Sequence, residues 1–191
     1  MHVDSITACA RLGHNTPAAE LPDRLVRLAR DGDREAFALL VRPHLAPALG
    51  AARIITGSES DGADAVQDAL LLAWQRLPQL REPALFSAWF RQIVVRAATK
   101  VASRRRPIAE LDLTASGPVD ELDQALDLRT LRRAIARLEV DDRVLLTLRE
   151  FWDLSVAETA RLLAIPEGTV KSKLHHALRR LRAAYDAEER A

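Results

Sequence analysis

Apolar residues recur every three or four positions along most of the chain, which is the spacing that places them on one side of an α-helix. Runs that alternate apolar and polar residues, as half-buried strands do, are missing. The pattern therefore predicts an all-α fold. The predicted helices are Pro22–Arg30, Asp33–Val41, Pro47–Thr56, Asp61–Leu77, Leu85–Arg106, Gln124–Glu139, Asp141–Glu150, Ser155–Leu163 and Glu167–Asp186.

A stretch without apolar periodicity divides these helices into two groups. It covers residues 107–123 and contains prolines, a glycine, small polar residues and only acidic charge, which is typical of a flexible linker. We therefore expect two small helical domains, at residues 22–106 and 124–191. Residues 1–21 show no periodicity either, and we interpret them as a loose N-terminal tail without an assigned function. The first helix of the second domain has Leu128, Leu131, Ile135 and Leu138 at core spacing.

The last two predicted helices are joined by a short turn, as in a helix-turn-helix motif. Ser155 can cap the first helix, Glu158 can complete a capping box, and Pro166 suits the start of the second helix. The second helix has an apolar stripe of Val170, Leu174, Ala177, Leu178 and Leu181. Its remaining side chains are small, polar or cationic, as DNA contact requires, and the candidates are Thr169, Lys171, Ser172, Lys173, His175, His176 and Arg179. An ordinary helical hairpin with a solvated basic face would show the same pattern.

The predicted helix Asp61–Leu77 carries an unusual mixture opposite its core stripe. Acidic and apolar side chains project together there, namely Asp64, Asp68, Leu71, Leu72 and Gln75. Such a mixture predicts a docking patch for a protein partner. The alternative is that isolated exposed leucines on a helix need no explanation.

The predicted helix Leu85–Arg106 has its core stripe at Phe86, Phe90, Ile93, Val94 and Ala97, with an aromatic and basic flank beside it. Trp89, Arg96 and Lys100 line up along that flank, before the cations Arg104, Arg105 and Arg106. Rings that stack on bases and cations that neutralise phosphates suit unpaired nucleic acid. Alternatively, Trp89 belongs to the core and the basic end is a solvated helix terminus.

Composition narrows the classes of function. The 191 residues carry a formal net charge of +1, but residues 91–106 hold six basic and no acidic side chains, and residues 107–127 hold six acidic and no basic ones. The single cysteine excludes an internal disulfide and a cysteine-based zinc site. The five histidines form no metal-ligand pattern, and we find neither a glycine-rich phosphate loop nor paired carboxylates in an evident pocket. We therefore expect no enzyme activity, no metal and no cofactor.

The sequence also predicts the cellular compartment of the protein. No apolar run approaches the ~20 residues that span a membrane, and the first residues lack the charged-then-apolar layout of a signal peptide. We expect a soluble, cytoplasmic protein without a membrane partner.

Three segments resemble bacterial sigma factors, above all the small extracytoplasmic-function (ECF) group of the sigma-70 family. The C-terminal segment IPEGTVKSKLHHALRRLR resembles region 4. The segment DGADAVQDALLLAW resembles region 2.2, and LFSAWFRQIVVRAATKVASRRR resembles regions 2.3 and 2.4. The resemblance covers about residues 22–186 and keeps the order region 2, linker, region 4. It implies a transcription initiation factor that binds core RNA polymerase and directs it to promoter DNA.

The resemblance also implies roles for individual residues. Region 2.2 binds the clamp coiled coil of RNA polymerase, a role that falls on Asp64, Gln67 and Asp68, with Leu71 beside them. Regions 2.3 and 2.4 recognise and melt the −10 promoter element, and the matching residues are Trp89, Arg96, Lys100 and Arg104. Region 4 reads the −35 element through the helix-turn-helix. An anti-sigma factor is a frequent further partner in the family.

This chain departs from its relatives at several positions. Ala164 stands in the turn of the helix-turn-helix where relatives carry glycine, so a left-handed residue there would cost about 1 kcal/mol. Arg96 and Lys100 replace an asparagine and an acidic residue, and Gly62 and Ala63 stand where relatives are more acidic. The competing hypothesis is a free-standing helix-turn-helix regulator that never contacts polymerase, which would leave the docking patch and the Trp89 flank unexplained.

Overall fold

In the computed structural model, residues 21–104 and 122–190 are described, and every regular element in those ranges is helical. The first unit contains α1 (Leu21–Arg30), α2 (Arg34–Thr56), α3 (Glu59–Arg76) and α4 (Phe86–Arg104), with short 3₁₀ turns at Leu77–Gln79 and Pro83–Leu85. The second unit contains α5 (Leu122–Ala136), α6 (Val140–Leu146), a π-helical turn (Thr147–Phe151), α7 (Val156–Leu163) and α8 (Glu167–Glu189). The all-α prediction is confirmed. The predicted tail and linker lie outside the described residues, apart from Leu21, which begins α1, and Leu122 and Asp123, which begin α5.

Helix α2 is one continuous helix, so the prediction of two helices separated at residues 42–46 was wrong. Pro43 and Pro47 lie inside it. Four residues separate them, so both rings project from the same side of the helix, and both are exposed. Leu40 and Val41 on one side of the prolines, and Ala48 and Ile55 on the other, are buried in a common core. Packing along the whole length of α2 therefore outweighs the backbone hydrogen bonds that the prolines remove.

The gap between the predicted helices Pro47–Thr56 and Asp61–Leu77 is shorter than expected, because α3 begins at Glu59. Gly57 ends α2 in a left-handed conformation with φ 72°, and its N–H donates to the Arg53 carbonyl. The Ser58 hydroxyl then caps α3 by accepting from the Asp61 N–H. Gly62 therefore lies within α3, where a Cβ would stand 2.9 Å from the backbone nitrogen of Arg53. Only glycine permits α2 and α3 to approach this closely.

The core of the first unit lies between all four of its helices. Val26, Ile55, Leu77, Phe90 and Val94 are among its fully buried side chains. The rings of Phe86 and Phe90 are stacked at 5.8 Å, and the imidazole of His44 lies against both. Burial, with the nearby charge of Arg91, lowers the pKa of His44. By length and composition α2 could cross a membrane, but it packs as the central helix of this bundle, and core helices of globular proteins commonly meet that criterion.

The second unit has two smaller apolar clusters, which hold α8 against its neighbours. One joins Leu138, Leu146 and Ala177, and the other joins Leu145, Ala160 and Val170. Two expected core residues are exposed instead, Leu128 to 52% and Leu178 to 43%. Few helices surround α5 and α8, so only part of each apolar stripe has a partner to pack against.

The two units are packed together, which the sequence pattern did not predict. Val144, Leu148 and Leu154 of the second unit are buried in the same cluster as residues of α2 and α4. In addition, the buried guanidinium of Arg143 donates to the carbonyl of Ile55 at 2.9 Å. The helices α6, α2 and α4 thus share one continuous core.

Candidate DNA-binding and polymerase-binding surfaces

The turn between α7 and α8 is held by local hydrogen bonds that the sequence specifies. The Ser155 hydroxyl accepts from the Glu158 N–H at 3.2 Å, and the Glu158 carboxylate accepts from the Ser155 N–H at 2.7 Å, which confirms the capping box. The Ser155 hydroxyl also donates to the Glu158 carboxylate at 2.7 Å. This hydrogen bond first, and then the one from the Ser155 N–H, holds the pKa of Glu158 below its usual range. The start of α7 is therefore well defined.

Ala164 ends α7 in a left-handed conformation, with φ 56° and ψ 43°. The Ile165 N–H donates to the Ala160 carbonyl at 3.1 Å and the Ala164 N–H to the Arg161 carbonyl at 3.4 Å, which together form a Schellman motif. Ile165 packs against the cluster that contains Ala160. The turn thus has the standard shape, and Ala164 carries the strain that glycine would avoid.

Helix α8 separates a buried side from an exposed cationic side. Val170 and Ala177 are completely buried. The predicted DNA-contacting side chains lie away from them, and all are exposed except Thr169, which is half-buried: Lys171, Ser172, Lys173, His175, His176 and Arg179. The Ser172 hydroxyl donates to the Thr169 carbonyl at 3.1 Å, and the rings of His175 and His176 meet edge to face at 5.7 Å. The structure therefore brings this set together on one open surface.

Two ion pairs orient α8 on α6. Arg180 donates to the carboxylate of Asp142 at 2.5 Å, and Asp142 is only 5% exposed. Lys173 lies 3.4 Å from the carboxylate of Asp141, with both side chains exposed. Sequence reasoning missed both pairs, because their partners lie 38 and 32 residues apart.

The predicted docking patch on α3 is exposed, with one correction. Asp64, Gln67, Asp68 and Leu71 all face outward, and Leu71 is 57% exposed. Leu72 instead is partly buried and packs on the core of the first unit. Leu72 follows Leu71 by 100° around the helix, and that rotation carries it towards the core.

The flank of α4 is divided between core and solvent. Trp89 is partly buried, with its ring 5.9 Å from that of Phe86. Arg96, Lys100 and Arg104 are exposed and follow one another at intervals of four residues, so they form a cationic row. Arg105 and Arg106 lie outside the described residues. Among the described residues, no group of three His, Cys, Asp or Glu side chains is placed to hold a metal ion.

Comparison with known protein families identifies both units. The family described as Sigma-70 region 2 matches residues 40–107, and the one described as Sigma-70, region 4 matches residues 128–181. These two matches cover most of α2 with all of α3 and α4, and most of α5 and α8 with all of α6 and α7, in the order that the sequence resemblance predicted.

Curated relatives agree with these matches. The chain is 35% identical over 151 residues to the ECF RNA polymerase sigma factor SigM of Mycobacterium tuberculosis, covering 78% of this chain and 77% of that one. It is 32% identical over 175 residues to the RNA polymerase sigma-H factor of Pseudomonas aeruginosa, covering 83% of this chain and 90% of that one. It is 31% identical over 171 residues to the ECF RNA polymerase sigma-E factor of Escherichia coli, covering 80% of this chain and 88% of that one.

Solved structures show the same fold. CnrH in complex with the cytosolic domain of CnrY superposes with a TM-score of 0.66 at 25% identity, covering 87% of this chain and 98% of that one. The sigma factor RpoE of Bartonella quintana, in complex with the anti-sigma factor NepR, superposes with a TM-score of 0.57 at 22% identity. That superposition covers 78% of this chain and 94% of the other. The chain therefore belongs to the ECF sigma factors of the sigma-70 family, non-enzymatic subunits that direct RNA polymerase to promoters through regions 2 and 4.

Proposed function

We propose that the two units divide promoter recognition, with α8 reading the −35 element and α4 engaging the −10 element, while α3 binds core RNA polymerase. The single observation that carries this proposal is the exposed cationic side of α8, which lies opposite a completely buried stripe within a capped helix-turn-helix. A surface of this kind fits the major groove, since the helix can enter it without disturbing its own packing.

The residues of α8 suit two kinds of contact with the −35 element. Lys171, Lys173 and Arg179 carry charges that neutralise phosphates. Ser172, His175 and His176 are shorter polar side chains on the same exposed surface, suited to hydrogen bonds with base edges. Thr169, at the first turn of α8, lies where recognition helices approach the groove.

The cationic row on α4 suits a single strand of the −10 element. Arg96, Lys100 and Arg104 supply phosphate contacts along one side of the helix, and the partly exposed ring of Trp89 supplies a face on which a base stacks. Melting then draws its free energy from stacking and phosphate contacts to the separated strand. Arg96 and Lys100 stand where relatives carry a neutral and an acidic side chain. Their charges strengthen the part of the affinity for DNA that does not depend on base sequence.

The patch on α3 suits a protein partner. Asp64 and Asp68 place negative charge beside the exposed Leu71, with Gln67 between them. Charges of this kind direct association with a basic surface, and a central leucine contributes burial. Since these side chains are free of the core, they serve binding and not folding.

The partners proposed for this chain include an anti-sigma factor, in addition to core RNA polymerase and promoter DNA. The likeness in fold to RpoE, solved together with the anti-sigma factor NepR, supports a partner of this class. Binding to polymerase and chromosomal DNA places the protein in the cytoplasm.

Transcription in vitro tests the proposal. Core RNA polymerase is supplied with this protein and a library of promoter fragments, and we expect start sites preceded by two shared elements. When α8 is altered, base changes in the upstream element should no longer affect transcription. When α4 is altered, the same should hold for base changes in the downstream element. Binding to palindromic DNA without any affinity for core polymerase would instead favour the free-standing regulator.

A further inference from the structure

The first turn of α4 carries an aromatic cluster to which α2 contributes a histidine. The rings of Phe86 and Phe90 are stacked at 5.8 Å, and both side chains are almost completely buried. The centre of the His44 imidazole lies 5.6 Å from that of the Phe86 ring and 6.1 Å from that of the Phe90 ring. Its Nε2 atom is also 3.4 Å from the Ser87 hydroxyl. His44 therefore supports this turn of α4 from the side of α2.

Phe86 lies between His44 and Trp89. Successive residues of an α-helix are about 100° apart around its axis, so Ser87 and Phe90 project on one side of Phe86 and Trp89 projects on the other. The centres of the Phe86 and Trp89 rings are 5.9 Å apart, which is within the contact range of aromatic pairs. Phe86 is buried, whereas Trp89 is partly exposed. A displacement of His44 therefore reaches the indole through a single buried ring.

The surroundings of the imidazole disfavour a positive charge. Burial first, and then the charge of Arg91, lowers the pKa of His44. Among the described residues of the helices around α2, Arg91 is the ionisable group whose charge acts on the ring, and no carboxylate offsets it. A proton on His44 thus places a cation near another cation and against apolar rings. The imidazolium is more stable when it turns towards solvent, away from Phe86.

We propose that His44 is a positioning residue for Trp89: the neutral imidazole holds Phe86, and through it the indole, in place for base stacking, and protonation releases the indole. This inference rests on the proposed function, in which a base of the −10 strand stacks on Trp89. Acid should then weaken base stacking, while the charges of Arg96 and Lys100 still hold phosphates. A histidine that only fills the core would affect stability and leave the indole where it is.

Four substitutions separate the charge of His44 from its packing. His44→Leu keeps an apolar side chain of similar size against Phe86 but takes up no proton. His44→Ala removes the support altogether. Phe86→Leu keeps the core filled but removes the ring that joins His44 to Trp89. Phe37→Leu is the matched control, because Phe37 contacts a different indole of the same unit, that of Trp74, with ring centres 5.1 Å apart.

The first measurement follows the indoles of the free, full-length protein. The chain has three tryptophans, each with one indole N–H resonance in an NMR spectrum, and Trp89→Phe identifies the one of interest. In wild type and Phe37→Leu it should move between about pH 7 and about pH 5, with a midpoint below the ordinary histidine value of about 6.5. It should stay in place in His44→Leu and Phe86→Leu. In His44→Ala it should lie near its acid position already at neutral pH.

The second measurement uses holoenzyme and DNA. The probe is a single strand that carries the downstream element found by transcription in vitro, with 2-aminopurine at each position in turn to report stacking by its quenching. Between about pH 7 and about pH 5, wild type should lose about 3- to 10-fold more affinity for the probe than His44→Leu, and quenching should fall in parallel. Trp89→Ala should bind weakly at both values. Every holoenzyme contains the same core, so titration of core residues contributes equally.

A Trp89 resonance that does not change with pH in wild type, or that moves equally in wild type and His44→Leu, would overturn the proposal. Equal pH dependence of probe binding by those two proteins would overturn it as well. If transcription yields no downstream element, or if Trp89→Ala binds the probe as wild type does, the −10 assignment of α4 is wrong instead. The NMR comparison then still decides whether His44 positions Trp89.

Discussion

Arg180 of the recognition helix donates a hydrogen bond to the buried carboxylate of Asp142 in α6, at 2.5 Å. Together with the apolar clusters around Val170 and Ala177, the pair sets the rotation of α8 on its neighbour and so which side chains face outward. A carboxylate that is 5% exposed would be left without this donor if the arginine were removed. The geometry of the DNA-binding surface thus depends on an interaction that itself lies away from the surface.

The Asp142–Arg180 pair gives a stability prediction. Asp142→Ala should lower the free energy of unfolding by about 1 kcal/mol, because the arginine is half-exposed and solvent weakens the interaction. Thermal denaturation measures this. Asp141→Ala, which breaks the exposed pair with Lys173 in the same helical turn, should change it little. Equal effects of the two variants would show that charge at the start of α6, and not the hydrogen bond from Arg180, is responsible.

Replacement of alanine by glycine should have opposite effects on stability at Ala164 and at Ala183. Ala164→Gly should stabilise the protein by about 1 kcal/mol, since the residue has φ 56° and glycine adopts that conformation without strain. Ala183→Gly, in the exposed interior of α8, should destabilise it by about 1 kcal/mol. Thermal melting of both variants is the measurement. A destabilised Ala164→Gly would mean that the greater freedom of glycine in the unfolded chain outweighs the relief of strain.

The cations of α8 should determine the salt dependence of promoter binding. Lys171→Ala or Arg179→Ala should weaken holoenzyme binding and reduce the slope of log K against log salt by about 0.9 for each phosphate that is no longer neutralised. Lys173→Ala should have a smaller effect on affinity, because Asp141 competes for its charge. Arg132→Ala, an exposed cation on α5, is the control. An unchanged slope for Lys171→Ala would show that this side chain does not neutralise a phosphate.

The patch on α3 should be required for polymerase binding. Asp64→Arg with Asp68→Arg should abolish association with core polymerase and leave the helical fold intact, because both side chains are exposed. Gel filtration with core enzyme measures the association. Asp31→Arg with Glu82→Arg makes the same change in net charge at exposed sites outside the patch, and should retain binding. Normal holoenzyme formation by the α3 variant would refute the docking assignment.

His44 should make the first unit sensitive to acid. Burial, then the charge of Arg91, lowers its pKa in the folded protein, so the neutral ring stabilises the fold above the ordinary histidine pKa of about 6.5. That contribution disappears as the pH falls through the lowered value. His44→Leu should therefore lose less stability than wild type between pH 7 and pH 5, measured by urea denaturation. The exposed His176→Gln should behave as wild type, and identical pH profiles for all three proteins would contradict the prediction.

The local features of this protein are determined by its sequence. The capping box of Ser155 and Glu158 depends on residues three apart, and the left-handed turn at Ala164 follows from the short connection between two amphipathic helices. Helical periodicity likewise predicted that Val170 and Ala177 are buried and that Lys171 and Arg179 face solvent. Each of these depends on interactions within one or two turns of helix, which a sequence pattern records directly.

Other features were decided only by the tertiary structure. Helix α2 continues through Pro43 and Pro47 because the core on both sides of them holds it, and Leu128 and Leu178 stay exposed because none of the described helices covers them. The hydrogen bond from Arg143 to the carbonyl of Ile55 joins residues 88 positions apart. Periodicity shows which side of a helix is apolar, but not which other helix will cover it, and so the packing of the two units could be learned only from the structure.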